Sequence, residues 1–166
     1  KNLVNAEMLN ENFSLTKKAE LFCEKNSPKR AVILAAGAGI RMVPINTETH
    51  KALLEIKGET LIERQIKHLH EVGIKDITVV SGYLKERLEF LIDKYNISLV
   101  YNPEYFAKNN LHSLYLVRKK LENCYIIPCD LWCKNNPFST TEAYPWYMVT
   151  DEETLSTDVR VIRKSQ

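Results

Sequence analysis

The sequence predicts an α/β protein with a mostly parallel sheet that is covered by helices on both faces. Short apolar runs with strand character alternate from Arg30 onwards with segments of helical periodicity. The first run, 30–36, is apolar after its opening arginine, which is typical of a strand buried on both faces. The strand–helix alternation favours crossover connections and therefore parallel strands. In such sheets, ligands bind beyond the carboxyl ends of the strands.

Local signals place the individual elements. A Thr-x-x-Glu capping box at Thr60–Glu63 begins a helix whose apolar residues share one stripe, and Gly73 ends it. Hydrophobic periodicity predicts the remaining elements: strands at 76–81, 97–101 and 124–128, helices at 84–95 and 111–121, and two late strands at 146–150 and 158–163.

Residues 1–29 differ from the rest of the chain. They are polar, they contain one helical segment at 15–24, and Ser27-Pro28 breaks the helical pattern. We interpret them as an N-terminal appendage, or the tail of an upstream module, and residues 30–166 as the α/β domain.

Composition and charge exclude several classes of function. The 166 residues carry 23 Lys+Arg and 21 Asp+Glu, a net charge of +2, so the charge balance gives no case for nucleic acid as the main partner. The longest apolar run is too short to span a bilayer. No signal peptide is visible in residues 1–12, so we expect either a cytoplasmic protein or a sequence whose start has been trimmed. The four cysteines form neither a disulfide framework nor a Cys-x-x-Cys pair, and reduced cysteines predict a cytoplasmic location.

The loop after the first strand predicts a phosphate site. It reads Gly37-Ala-Gly39-Ile-Arg41, and glycines after a buried strand let backbone amides approach an anion. Arg41 and Lys51 add a guanidinium and an ammonium group. Met42 stands where a dinucleotide fingerprint needs its third glycine, and the Gly-Lys-Ser/Thr of a P-loop is missing. From these residues alone, a strand-end turn with two solvated charges remains the simpler alternative.

The stretch Leu34–Arg41, followed by Pro44 and Lys51-Ala-Leu53, resembles the signature of the nucleotidyltransferases that activate phosphorylated sugars and alcohols. Three positions depart from that signature: Ile40 replaces Ser or Thr, Asn46 replaces Thr, and His50 replaces the proline that usually precedes the lysine. The segments 80–84, 101–103, 109–116 and 125–130 are most similar to the bacterial phosphocholine cytidylyltransferases.

This resemblance implies a chemistry, namely Mg²⁺-assisted in-line transfer of CMP from CTP to phosphocholine with release of pyrophosphate. Arg41 would bind the leaving phosphates, and Lys51 the α-phosphate or the acceptor phosphate. Asp130, directly after the strand at 124–128, matches the metal-binding aspartate of the family. The resemblance also implies a set of nucleotide-binding residues: Leu34, Ala35, Ala36, Gly37, Ala38, Gly39, Tyr83, Asn110 and Ser113.

A phosphocholine acceptor would need aromatic faces around its quaternary ammonium. Trp146 is the preferred candidate, and Trp132 and Tyr115 are two more, with core packing as the alternative for these aromatic residues. His50 and His112 lie in motif segments, but a surface or packing role is the simpler interpretation for both.

Two other functions stay open. One is a sugar-1-phosphate nucleotidyltransferase, and the other is a regulatory module that binds nucleotide without turnover. Pro128 stands where the family often has a second acid, and no further metal carboxylate is visible before Gln166. Members of the family usually continue further, so we expect a domain truncated at its C-terminus that lacks part of the acceptor pocket, with a possible fused neighbouring domain.

Overall fold

The computed structural model describes residues 2–44, 47–142 and 144–148. The helices and strands in chain order are α1 (Asn2–Asn5), α2 (Lys17–Asn26), β1 (Arg30–Ala35), β2 (Glu55–Ile56), β3 (Glu59–Thr60), α3 (Leu61–Glu71), β4 (Asp76–Ser81), α4 (Phe90–Tyr95), β5 (Ser98–Tyr101), α5 (Asn110–Leu116) and β6 (Cys124–Pro128). Short 3₁₀ turns lie at Ile40–Met42, Lys51–Leu53, Lys85–Leu88 and Arg118–Lys120.

Four parallel strands form the central sheet, in the order β5-β4-β1-β6. The chain therefore builds the sheet outward from β1 through β4 to β5, and then returns to place β6 on the other side of β1. Such a reversal of strand order opens a crevice at the carboxyl ends of the two strands that flank it, here β1 and β6. The predicted parallel sheet is confirmed, and β2 and β3 pair separately as a small antiparallel ribbon.

The core lies on both faces of β1. On one face, Ile33 packs in a cluster with Ile62, Ile66 and Leu69 of α3, all fully buried. On the other face, Val32 packs in a second cluster that includes Val117. Packing on both faces accounts for the continuous apolar sequence at 31–35.

Helix α3 begins and ends where the sequence predicts. The Thr60 hydroxyl oxygen accepts a hydrogen bond from the Glu63 backbone N–H at 3.3 Å, so Thr60 is the N-cap. Gly73 ends the helix in the left-handed region at φ +82°, and the Ile74 N–H donates to the Leu69 carbonyl at 3.0 Å.

Two predicted helices are shorter than expected. The segment 84–95 begins with Leu84 in the left-handed region, continues as a 3₁₀ turn and becomes helical at α4. The segment 111–121 divides into α5 and the 3₁₀ turn at Arg118–Lys120. Leu111 is 73% exposed, whereas Leu114 and Leu121 are partly buried and pack against the cluster that contains Val32 and Val117.

The predicted strand at 146–150 is wrong for its described part, since Trp146–Met148 is not in a strand. Residues 144–148 are all exposed, so the buried–exposed alternation of a sheet strand is missing. Pro145 also lacks the N–H that a strand pairing would use. Residues 149–150 and the predicted strand at 158–163 lie outside the described residues.

The N-terminal segment packs against the α/β layer. Helix α2 follows the N-cap Thr16, two residues later than predicted, and buries Ala19. The Phe22 ring lies 6.3 Å from the Tyr144 ring, and the Lys29 N–H donates to the Asn123 carbonyl at 2.9 Å. In the part of the chain that the structure describes, the helices are all too short or too polar to cross a membrane.

Candidate active site

The glycine loop and Asp130 emerge side by side from the reversal point of the sheet. β1 and β6 are parallel and in register up to Leu34 and Pro128. Just beyond, the Cys129 N–H donates to the Leu34 carbonyl at 3.1 Å. The loop that carries Arg41 and the carboxylate of Asp130 thus begin at the same edge of the sheet, as the sequence predicted.

The glycine loop leaves open space above its first glycine. A Cβ at Gly37 would meet no atom within 4 Å, and its backbone does not need the left-handed region. Neighbouring side chains therefore give no reason for glycine there, which fits a backbone that a ligand approaches closely. Gly39, in contrast, has φ +62° and turns the chain into the 3₁₀ turn that exposes Arg41.

The other loop residues that were predicted to bind nucleotide differ in how deeply they are buried. Ala35 and Ala36 are buried at the end of β1, so they carry the loop by packing. Leu34 is half-buried within β1, and Ala38 lies half-buried between the two glycines. These positions support the loop backbone, whose amides are the groups that a phosphate would contact.

Gly82 lets the end of β4 contact the loop and is a residue that the sequence reasoning missed. A Cβ at Gly82 would lie 2.5 Å from the Ala36 carbonyl oxygen and 2.5 Å from the Cβ of Tyr105. The next residue, Tyr83, donates its backbone N–H to the same Ala36 carbonyl at 3.0 Å. The signal that could have identified Gly82 was its position in the Val-Ser-Gly-Tyr stretch directly after a predicted strand.

An ion pair bridges the crevice. The Lys51 ammonium donates to Asp130 Oδ2 at 2.8 Å, with the Lys51 side chain 18% and the Asp130 side chain 42% exposed. Burial acts to lower the pKa of Lys51, but the hydrogen bond to Asp130 and the negative charge of that carboxylate act to raise it, and the pKa lies above its ordinary value. Burial raises the pKa of the Cys129 thiol to about 12, so the thiol is neutral at pH 7.

Arg41 adds a second positive charge near the Lys51–Asp130 ion pair. It is close enough to Lys51 for its charge to oppose protonation of that lysine, which is one of the smaller influences on the Lys51 pKa. Together the two cations exceed the single carboxylate of Asp130 by one charge. A local excess of positive charge beside a glycine loop favours a polyanion.

His50 lies directly beneath this group and is fully buried. Its Nδ1 accepts from the Ala52 N–H at 3.1 Å, which caps the 3₁₀ turn that carries Lys51. Its Nε2 lies 2.9 Å from the Ala35 carbonyl oxygen. Burial, with a smaller contribution from Lys51, lowers the pKa of His50 below its ordinary value.

Tyr83, Asn110 and Ser113 have different surroundings. The Tyr83 hydroxyl donates to the Thr47 carbonyl at 3.2 Å, which places its ring along the segment between the glycine loop and Lys51. Asn110 is exposed at the first turn of α5. Ser113 is only 2% exposed, and its hydroxyl accepts from the buried Asn102 amide at 3.0 Å. Its observed role is to join α5 to the end of β5, and its contact with nucleotide remains a prediction.

The three aromatic candidates do not form one cage in the described structure. Trp132 lies 5.3 Å from the Lys57 ammonium and 5.3 Å from the Arg64 guanidinium, measured to its ring centroid. Tyr115 lies 4.3 Å from the guanidinium carbon of Arg118. These are the cation–π contacts that a quaternary ammonium would make, and here they are made by the chain's own cations. Trp146 contacts the Tyr125 ring edge-on at 6.0 Å and is 46% exposed.

Comparison with known proteins decides the family. Residues 31–138 match the MobA-like NTP transferase domain. The chain belongs to this nucleotidyltransferase family. The resemblance found in the sequence is thereby confirmed, and the glycine loop, Lys51 and Asp130 lie inside the matched region.

The relatives of this NTP transferase domain include several cytidylyltransferases. The choline-phosphate cytidylyltransferase of Streptococcus pneumoniae is 46% identical over 109 residues, covering 66% of this chain and 48% of that protein. The choline-phosphate cytidylyltransferase of Haemophilus influenzae is 38% identical over 117 residues, covering 70% and 50%. The 2-aminoethylphosphonate cytidylyltransferase of Lancefieldella rimae is 41% identical over 101 residues, covering 60% and 41%.

A solved structure gives the same fold. The CTP:phosphocholine cytidylyltransferase of Streptococcus pneumoniae superposes with a TM-score of 0.66 at 45% identity, covering 67% of this chain and 49% of that one. The chain spans about half the length of the curated choline-phosphate cytidylyltransferases it matches.

In the part of the chain that the structure describes, Asp130 is the carboxylate that this crevice offers to a cation. Among residues 2–44, 47–142 and 144–148, no group of three or more His, Cys, Asp or Glu side chains converges as a metal site. Asp130 is the acidic residue at the crevice, and Lys51 contacts its Oδ2. A single accessible carboxylate fits Mg²⁺ that takes its remaining ligands from phosphate oxygens and water, because Mg²⁺ is commonly held by only one or two carboxylates.

Proposed function

We propose that this chain carries the nucleotide-binding part of a CTP:phosphocholine cytidylyltransferase, which forms CDP-choline and pyrophosphate. The observation that carries the proposal is the Lys51–Asp130 pair, which spans the sheet's reversal point beside the open backbone at Gly37. The names of the relatives at 46% and 38% identity support CTP as the nucleotide and phosphocholine as the acceptor.

The proposed reaction is an in-line displacement at the α-phosphorus of CTP. A phosphate oxygen of phosphocholine forms the new bond, the bond from the α-phosphorus to the bridging oxygen breaks, and pyrophosphate leaves with the electron pair. Positioning and charge neutralisation supply most of the catalysis in such phosphoryl transfers. The protein's task is therefore to hold two anions in contact and to stabilise the charge that develops between them.

The cations of the site divide this task. Arg41 is exposed on the 3₁₀ turn directly after the glycine loop, where its guanidinium binds the phosphates that leave. Lys51 is held at the crevice by Asp130, and its raised pKa keeps the ammonium charged to bind the α-phosphate or the acceptor phosphate. The amides around Gly37 complete the phosphate contacts.

Asp130 is the residue that would hold Mg²⁺. When bound, Mg²⁺ would neutralise negative charge on the triphosphate. The carboxylate is 42% exposed at the mouth of the crevice, so a cation carried by the nucleotide can reach it. The proposal also includes the cytoplasm as the location, because the four cysteines are all unpaired thiols and therefore fit a reducing compartment.

The decisive experiment is to incubate the chain with CTP, MgCl₂ and phosphocholine and to identify CDP-choline by mass. The matched reactions replace phosphocholine with 2-aminoethylphosphonate or glucose 1-phosphate, and CTP with UTP or ATP. CDP-choline as the main product supports the proposal, and preference for another acceptor corrects its substrate. Tight Mg-CTP binding without pyrophosphate release would instead establish a binding module without turnover.

A further inference from the structure

The hydrogen bonds of His50 define a single neutral form of its ring. The Ala52 N–H can only donate, so Nδ1 must be the unprotonated acceptor. The Ala35 carbonyl can only accept, so Nε2 carries the proton and donates to it. Both ring nitrogens are therefore satisfied by backbone groups, although the side chain is fully buried.

These two backbone groups belong to the two halves of the phosphate site. Ala35 is the last residue of β1, and the glycine loop follows it directly. Ala52 lies in the 3₁₀ turn that begins with Lys51. One ring thus connects the base of the glycine loop to the turn that carries the ammonium group, across 15 residues of sequence.

We propose that His50 is a positioning residue, whose ring fixes Lys51 relative to the glycine loop so that both contact the same triphosphate. The inference rests on the proposed function for the role of Lys51 toward phosphate. The geometry of the bridge itself does not depend on that function, because it is made entirely of the chain's own atoms.

The residue type fits a positioning role at this place. His50 has φ −61°, which is the value that proline imposes, so the backbone here keeps the conformation of the proline usual at this position. Proline has no side-chain donor or acceptor, so the bridge from Ala35 to Ala52 is a property of histidine.

The test compares three variants. His50→Leu removes both hydrogen bonds while keeping an apolar side chain of similar bulk. His50→Asn keeps an oxygen that can accept from the Ala52 N–H but is too short to reach the Ala35 carbonyl, so it breaks one half of the bridge. His68→Leu is the matched control, since His68 is a second buried histidine, 8% exposed, on α3.

The first readout is the rate at which acetic anhydride labels Lys51, measured by peptide mass spectrometry against the exposed Lys67 and Lys94. In the wild type, the ion pair with Asp130 and burial should make Lys51 slow to react. We expect His50→Leu to speed labelling of Lys51 several-fold, His50→Asn to do so less, and His68→Leu not at all. Unchanged labelling of Lys51, or equal acceleration at all three lysines, would overturn the proposal.

The second readout is steady-state kinetics, combined with Lys51→Met in a double-mutant cycle. We expect His50→Leu to lower kcat by about 10- to 100-fold with little change in KM, because displacing a charged group by about 1 Å can cost that much. The loss should largely disappear in the Lys51→Met background, where there is no ammonium left to position. Losses that add fully in the double variant would overturn the proposal.

The two hypotheses fail separately. A wild-type chain without turnover, but with faster Lys51 labelling in His50→Leu, would refute the proposed function and keep the positioning role. Turnover in the wild type, with no effect of either His50 variant on Lys51 labelling or on kcat, would refute the positioning role and keep the proposed function.

Discussion

Replacing Asp130 with asparagine separates the chemical role of this carboxylate from its role in the fold. The Lys51–Asp130 contact is short, at 2.8 Å, but the Asp130 side chain is 42% exposed. Partly exposed ion pairs contribute only about 0.2–1 kcal/mol, and asparagine keeps an oxygen that can accept from the ammonium. We therefore expect the free energy of unfolding to fall by about 1 kcal/mol or less.

The effect on turnover should be far larger. Removing one preorganised charged or polar group from a transition state typically costs about 3–4 kcal/mol, which corresponds to a loss in kcat of about 100- to 1,000-fold. Pyrophosphate release with saturating CTP and phosphocholine measures this loss, and urea denaturation measures the stability of the same samples.

Asp76→Asn provides the matched control. Its carboxylate is 45% exposed and lies 3.2 Å from the Lys120 ammonium, but it is at the start of β4, at the opposite end of the sheet. The Asp76→Asn variant should show a similarly small fall in the free energy of unfolding and unchanged turnover. Equal activity losses in the two variants, or an Asp130→Asn variant that turns over normally, would refute the assignment of the crevice as the active site.

Three more predictions follow from particular contacts. Gly37→Ala should keep wild-type stability and bind CTP more weakly in calorimetry. Gly82→Ala should lower the free energy of unfolding by about 1–3 kcal/mol in urea denaturation, because its Cβ would collide with the Ala36 carbonyl oxygen and with Tyr105. Equal stabilities of the two variants would contradict this prediction. Ser113→Ala should lower stability by about 1 kcal/mol by removing the acceptor of the buried Asn102 amide, and an unchanged urea midpoint would contradict that. For His50, the unfolded chain takes up a proton near pH 6.5 while the folded chain resists it, so stability should fall as the pH drops below 6.5. His50→Gln should show a smaller fall over the same range, and parallel acid titrations would contradict the burial argument.

Local sequence signals predicted the elements wherever one interaction dominated. The Thr60 cap and Gly73 stop bracket α3 because both act through bonds within a few residues. The strand β1 was visible because packing on both faces leaves an unbroken apolar run at 31–35. The predicted strand at 146–150 was wrong over Trp146–Met148, because an aromatic-rich segment resembles a strand whether or not a sheet edge receives it.

The site was predictable in its charges and only partly in its contacts. Arg41, Lys51 and Asp130 could be named as candidates because their residue types suit phosphate and metal ligands and because they match the motif of the family that the sequence resembles. Parallel strands place the loops that carry them at one edge of the sheet. Gly82 and the bridging role of His50 could not be named in the same way, because each depends on an atom distant in sequence: the Ala36 carbonyl for Gly82 and the Ala35 carbonyl for His50.

The sequence by itself predicted the alternation of strands and helices, which follows from local periodicity. Its resemblance to nucleotidyltransferases, carried by motif residues at fixed spacing, identified the family. Only the tertiary structure decided that Lys51 pairs with Asp130 across 79 residues, and that a buried histidine ties the lysine to the base of the loop. The physical reason is that strand order and side-chain packing bring together groups whose separation along the chain carries no information about their distance in space.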